Sequence, residues 1–259
     1  MSGALEGRRV LVVGAGTRPS DDPDAPVGNG RAIAVVAGRA GATVTCADLD
    51  ADAAAFTAAL VQAEGPVAHV LAGDVNDADV CAALVADADA AMGGLDGLVC
   101  NVGIGAGMGL SGTTPEQWDA VFAVNVRSHF LLAAAALPRM PEGGSIVFIS
   151  SVAGLTAGSR IPAYDASKSA LTGLCRQVAA EGARRGVRAN VVAPGLIDTP
   201  LGRVATAGRP SRAKAPVPLG RQGTAWEVAE PVVFLLSDAA SYITSQLLAV
   251  DGGLTGCRG

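Results

Sequence analysis

Short runs of β-branched residues alternate with longer alanine-rich stretches of helical period along the whole chain. That alternation marks a parallel sheet, because a strand can reach a parallel neighbour only through a long crossover, usually a helix. The expected strands are Arg9–Val13, Thr43–Ala47, Ala68–Ala72, Gly97–Cys100, Ser145–Ile149, Arg188–Val192 and Leu247–Val250. Several are apolar throughout, as central strands covered on both sides must be. The expected helices are Gly30–Arg39, Asp52–Ala63, Asp77–Ala91, Pro115–Leu137, Tyr164–Arg184 and Ala225–Leu236. Thr113 and Thr114 ahead of Pro115 supply a hydroxyl cap and a first-turn proline. The pattern predicts an α/β fold, a doubly wound parallel sheet of about seven strands with helices on both faces.

At 259 residues this is one domain, spanning 1–259, with no internal repeat or low-complexity linker. Half the residues are apolar but only 3% are aromatic, so the core must be built from Ala, Val, Leu and Ile. A formal net charge of −5 argues against nucleic acid or an anionic membrane as a partner. No apolar run approaches the roughly 18 residues that span a bilayer. Met1–Arg9 lacks the apolar stretch of a secretory signal. Cys46, Cys81, Cys100, Cys175 and Cys257 are scattered and form no C-x-x-C pair, so neither a disulfide framework nor a metal site is expected. The expectation is a cytoplasmic protein with reduced thiols.

Strand Arg9–Val13 runs into Gly14-Ala15-Gly16, and a later Gly28-Asn29-Gly30 opens the next helix. Such a turn lets backbone approach a pyrophosphate, whose charge then rests on the helix's first amides. Glycine clusters also mark ordinary turns, so the acid at Asp48, ending the second strand, matters more. A carboxylate there accepts both ribose hydroxyls of an adenosine and repels a 2′-phosphate. Gly73-Asp74-Val75 ends the third strand and Asn101-Val102-Gly103 the fourth. Ligands of open parallel sheets bind outside these carboxyl ends, where the strand order reverses.

The fifth strand ends in Ser150-Ser151, and Tyr164 and Lys168 follow in Tyr164-Asp165-Ala166-Ser167-Lys168. A spacing of four stacks Tyr164 and Lys168 on one helix face. A free phenol, with a pKa of about 10, is a poor base at neutral pH; a fixed ammonium and an oxidised nicotinamide beside it favour phenolate. Lowering the pKa by about three units takes roughly 4 kcal/mol, within reach of two nearby cations in a partly dry site. Tyr-x-x-x-Lys alone occurs on many helices.

Taken together, Gly14, Gly28, Gly30, Asp48, Asp74, Asn101-Val102-Gly103, Asn125, Ser151, Tyr164, Lys168, Pro194-Gly195 and Val250-Asp251-Gly252-Gly253 resemble the short-chain dehydrogenase/reductases of the classical type, in order and in spacing from Gly7 to about Gly253. The resemblance implies a Rossmann-type fold and hydride transfer between NAD(H) and a secondary alcohol or ketone. Ser151 would hold the substrate oxygen, and Tyr164 would give or take its proton. Lys168 would bind the nicotinamide ribose and depress the Tyr164 pKa, while Asn125 would hold a relay water. On the cofactor, Asp74, with its neighbour Val75, would meet the adenine, and Asn101 and Gly103 the adenosine ribose. Pro194, Gly195, Ile197 and Thr199 would cradle the nicotinamide. A homotetramer, or a homodimer, would form through the helices read as Pro115–Leu137 and Tyr164–Arg184.

Two segments depart from that pattern. Thirteen residues separate Gly14 from Gly28 where the family usually has three, so residues 17–27 are read as a loop inserted before the phosphate turn. Its Asp21, Asp22 and Asp24 are expected to face solvent or to pair with Arg18 or Arg31, and Arg18 keeps NADP open as a cofactor. The stretch Pro200–Arg221, the expected substrate lid, carries Arg203, Arg209, Arg212, Lys214 and Arg221 without an acid. It reads either as a solvated loop or as a surface that steers an anionic substrate. Cys100 stands where the family has asparagine, and Asp165 is expected on a solvated helix face. His69 and His129 are read as structural. A 3-oxoacyl-thioester ketoreductase and a non-catalytic NAD(H)-binding regulator stay open as alternatives.

Overall fold

The computed structural model describes residues 3–17, 24–206 and 217–257. Arg18, Pro19, Asp21, Asp22 and Pro23 of the insertion, and Arg209, Arg212 and Lys214 of the lid, lie outside the described residues.

Seven strands form one parallel sheet: β1 (Arg9–Val13), β2 (Thr43–Asp48), β3 (Ala68–Ala72), β4 (Gly97–Cys100), β5 (Ser145–Ile149), β6 (Arg188–Pro194) and, last in the chain, β9 (Leu247–Val250). Their order is β3-β2-β1-β4-β5-β6-β9, so the direction of winding reverses between β1 and β4. The expected strands are all present, with β2 one residue longer and β6 two residues longer at their carboxyl ends.

The helices are α1 (Asn29–Arg39), α2 (Ala51–Ala63), α3 (Ala78–Met92), α4 (Pro115–Phe122), α5 (Ser128–Ala136), α6 (Pro162–Ala183), the short α7 (Pro200–Thr206) and α8 (Ala225–Leu236). Their starts follow capping chemistry. Asp50 and Asp77 accept the first amides of α2 and α3, and Thr114 with Gln117 and Thr224 with Glu227 form capping boxes. The stretch read as one helix, Pro115–Leu137, is helical without a gap to Ala136 and holds a π-turn at Ala123–Arg127, where the Ser128 N–H reaches Ala123 O, five residues back. Two-residue strands β7 (Ile197–Asp198) and β8 (Gly223–Thr224) pair with each other at the two ends of the lid.

The core has two layers. Ile33, Val36, Val61, Val232 and Leu236, from α1, α2 and α8, pack on one face of the sheet. Leu84, Leu132, Met140 and Val178, from α3, α5, α6 and the α5–β5 connection, pack on the other. Phe148 on β5 is the largest fully buried side chain, as so few aromatics require. Cys46, Cys81, Cys100 and Cys175 are buried free thiols and Cys257 is exposed. Burial pushes the Cys46 and Cys175 thiols up to about 12. Buried Arg188 donates to Leu235 O, Ser237 O and Ile243 O, supplying the carbonyls at the end of α8 with a cation. Among the described residues no helix is long and apolar enough to cross a membrane.

Candidate active site

A cleft of about 530 Å³ opens at the carboxyl ends of β1, β2, β3, β4 and β5, at the winding reversal, within the size range of small-molecule sites. Gly14, Gly28, Gly30, Asp48, Asp74, Val75, Asn101, Gly103, Tyr164, Lys168 and Thr199 all line it. Ser151, Asn125, Pro194, Gly195 and Ile197 are not part of its wall.

At the cofactor end, the start of α1 lies on the turn after β1. A Cβ on Gly30 would stand 1.8 Å from Gly14 O, so only glycine permits the approach. Asn101 Nδ2 fixes that same carbonyl from β4 at 2.8 Å. The first turn of α1 carries no acid and no side-chain cap, leaving its amides to a ligand. Asp48 Oδ2 accepts from Gly16 N at 2.7 Å, and Oδ1 accepts from Asp50 N at 3.2 Å. Asp74 Oδ1 accepts from the backbone and side chain of Asn76.

At the other end, Lys168 is 3% exposed. Its Nζ donates to Ile149 O at 2.9 Å and lies 5.8 Å from the centre of the Tyr164 ring. Burial lowers the Lys168 pKa to about 8, and the neighbouring Cys100 thiol acts weakly in the other direction. A Cβ on Gly103 would stand 3.0 Å from Lys168 Nζ and 3.6 Å from Asn125 Oδ1, so those two groups face each other across this glycine. The Asn125 side chain is a clamp: Oδ1 accepts from Ile104 N, and Nδ2 donates to Ile104 O and Ser167 Oγ. The loop after β4 is thereby tied to α6. Ser151 Oγ accepts from Ala153 N at 3.2 Å, capping the 3₁₀ turn Val152–Gly154.

His129 is structural, as expected. It is fully buried, with Nδ1 2.5 Å from Asn125 O and Nε2 3.1 Å from Cys100 O. Burial, and then the Lys168 charge, pushes its pKa down to about 3, so the ring stays neutral.

Of the two cations offered to the insertion's acids, Arg31 is engaged elsewhere: its guanidinium lies 4.6 Å over the Phe56 ring and donates to Thr57 Oγ1. The stretch Pro200–Arg221, acid-free in itself, meets acids just outside its two ends: Arg203 pairs with Asp198 and Arg221 with Glu227, carboxylates supplied by β7 and α8. One expectation changes in part: Asp165 is half-buried rather than fully solvated, with its Oδ1 buried. The sequence reading also passed over Gly16, Thr17, Asn29, Ile104, Ser150 and Leu201 as wall residues. The Gly14-Ala15-Gly16 run signals Gly16; nothing local marks Ile104 or Leu201.

This geometry is that of a nucleotide-cofactor oxidoreductase: a glycine turn and helix start at one end of a cleft, a tyrosine–lysine pair at the other. The chain belongs to the short-chain dehydrogenase/reductase family. Residues 26–255 match the family described as enoyl-(acyl carrier protein) reductase. The chain is 38% identical to 2-(S)-hydroxypropyl-CoM dehydrogenase 3 of Xanthobacter autotrophicus, over 98% of this chain and 99% of that one. It is 42% identical to the inactive 2-(S)-hydroxypropyl-CoM dehydrogenase 2 of the same organism, over 86% and 99%. The crystal structure of a short-chain dehydrogenase/reductase from Burkholderia xenovorans superposes with a TM-score of 0.91 at 35% identity, covering 100% of both chains.

Proposed function

We propose that the chain is an NAD-dependent alcohol dehydrogenase or ketoreductase, with Tyr164 as its proton donor and acceptor. The observation that carries this reading is the buried Lys168 ammonium stacked beside Tyr164 on the wall of the same cleft that Asp48 bounds at its far end.

The residues suit a dinucleotide: the close approach at Gly30, the acid-free start of α1 and the Asp48 carboxylate present backbone, amides and an acceptor to one cleft. The nicotinamide, when bound, supplies the hydride acceptor or donor. Asp48 accepts the adenosine ribose hydroxyls and disfavours a 2′-phosphate, which selects NAD over NADP. Asp74 and Val75 face the adenine, and Asn101 and Gly103 the adenosine ribose. Lys168 turns its ammonium to the other ribose and favours the Tyr164 phenolate. Tyr164 moves the proton of the substrate hydroxyl while Ser151 donates to the substrate oxygen. Asn125 holds the loop after β4 against α6 and carries the water link to Lys168. Pro194, Gly195, Ile197 and Thr199 border the nicotinamide side. We further propose a small secondary alcohol or ketone as substrate, a cytoplasmic location, and a homotetramer (or homodimer).

A second reading, a non-catalytic NAD(H)-binding protein, has one observation in its favour: a relative at 42% identity is named inactive. The Ser151, Tyr164, Lys168 and Asn125 set argues against it, because a cofactor sensor needs only the Asp48 end. A 3-oxoacyl-thioester reductase sits poorly with Asp48 if it draws on NADPH.

The test is absorbance at the reduced-nicotinamide band, with NAD⁺, NADH, NADP⁺ and NADPH each offered against a panel of aliphatic, cyclic and acyl-thioester alcohols and ketones. Turnover is expected with NAD(H). Tyr164→Phe is expected to lower kcat by about 10²–10⁴-fold while NADH affinity is kept. Unchanged turnover in that variant removes Tyr164 from its role, and NADH binding without turnover across the panel favours the non-catalytic reading.

A further inference from the structure

Thirteen residues lie between Gly14 and Gly28, yet the two ends of the phosphate turn meet. Gly28 N donates to Thr17 Oγ1 at 3.0 Å. A Cβ built on Gly28 would stand 3.0 Å from that hydroxyl, 3.4 Å from Gly16 O and 3.7 Å from the Thr17 Cα. The Thr17 and Gly28 Cα atoms are thus no more than about 5 Å apart, against roughly 3.8 Å for consecutive residues. If residues 18–27 are passed over, the chain reads Gly14-Ala15-Gly16-Thr17-Gly28-Asn29-Gly30, with three residues between Gly14 and Gly28. The first half is anchored by Gly16 N on Asp48 and by Asn101 on Gly14 O, and the second half packs back on it where Gly30 meets that same carbonyl. Between the halves, the Thr17–Gly28 hydrogen bond stands where a peptide bond would otherwise join them. Thr17, Gly28 and Asn29 all line the cleft.

We infer that Thr17 is a positioning residue for the cofactor: its side-chain hydroxyl splices a divided phosphate-binding turn, and the turn is complete without residues 18–27. The inference rests on the nicotinamide-dinucleotide reading of the cleft. Loss of the hydroxyl releases Gly28, which precedes the first turn of α1, so the helix amides no longer converge on one phosphate position. The effect falls on cofactor affinity and leaves the Tyr164 end untouched.

The experiment measures NADH affinity by fluorescence titration in four variants. Thr17→Val keeps the shape without the hydroxyl, and Thr17→Ser keeps the hydroxyl. The third deletes 18–27 and joins Thr17 to Gly28, and the fourth combines that deletion with Thr17→Val. In the full-length chain Thr17→Val is expected to weaken NADH about tenfold, with the KM for the alcohol unchanged, and Thr17→Ser to recover to within about threefold of wild type. The deletion is expected to bind NADH within about threefold of wild type, and Thr17→Val within it to cost threefold or less, since a peptide bond now does the joining. Wild-type affinity in full-length Thr17→Val overturns the splice, as does an undiminished loss within the deletion. A folded deletion that cannot bind NADH overturns the completeness of the turn. If the deletion does not fold, the Val and Ser pair in the full-length chain decides. Failure of the wild-type chain itself to bind NADH or NADPH sinks the dinucleotide reading, and that result is distinct from all the others.

Discussion

At the scale of single residues, the unusual group is a lysine ammonium with almost no contact with water. Burial brings Lys168 from an ordinary 10.5 to about 8, a cost to the charged form that its hydrogen bond to Ile149 O offsets in part. The consequence for stability has a definite sign. Below pH 8 the lysine is protonated in folded and unfolded chains alike, and the cost of its burial is felt in full. Between pH 8 and 10.5 the unfolded chain alone keeps the proton, so stability rises with pH, by about 3 kcal/mol from this group as an upper bound. Lys168→Met lacks that rise, so its stability relative to wild type is expected to be highest near pH 7 and to shrink toward pH 10.5. Urea unfolding of the cofactor-free proteins at pH 7 and 10 checks this; parallel pH profiles would mean that Lys168 is not the titrating group. Residues of this kind are legible in sequence because their chemistry fixes their type, as with Asp48, Tyr164 and Lys168. Thr17 was missed for the opposite reason: its role lies in a hydrogen bond to a residue 11 positions away, which no local pattern displays.

Among the elements, the 3₁₀ turn Val152–Gly154 sets how far Ser151 stands from α6. A Cβ on Gly154 would lie 2.6 Å from the Lys168 carbonyl carbon and 2.7 Å from Ser169 N, so the turn rests directly on the helix backbone. Gly154→Ala must lift it. The variant is expected to lose about 1–3 kcal/mol of stability through overpacking. It is also expected to lose at least about tenfold in kcat, with NADH affinity intact because Asp48 and α1 stand apart from this contact. A wild-type kcat would show that the turn does not position Ser151. The strands were the most legible elements, since burial on both faces forces apolar runs such as Val10–Val13 and Ile146–Ile149. The π-turn inside the helix Pro115–Leu137 was not. A π-turn adds one residue to a helix without breaking residues to mark it, and in this stretch the cause is tertiary: Asn125 is drawn in to clamp Ile104 and Ser167. The pairs β7 and β8, two residues each, carry too little pattern to be read at all.

Across the whole molecule, an aromatic-poor chain buries its sheet between two aliphatic layers, and the cleft at the winding reversal between β1 and β4 collects the functional groups of five strand ends. That general shape followed from the alternation of strands and helices. The distribution of thiols has its own consequence. Four cysteines sit in the core layers, on β2, α3, β4 and α6, and one lies exposed near the end of the described chain. The molecule therefore carries a built-in clock for its own opening. A thiol-specific dye is expected to label Cys257 at once and the remaining four only as fast as the packed layers come apart, with NADH slowing that second phase. Staggered rates among the four would reveal which part of the sheet loosens first.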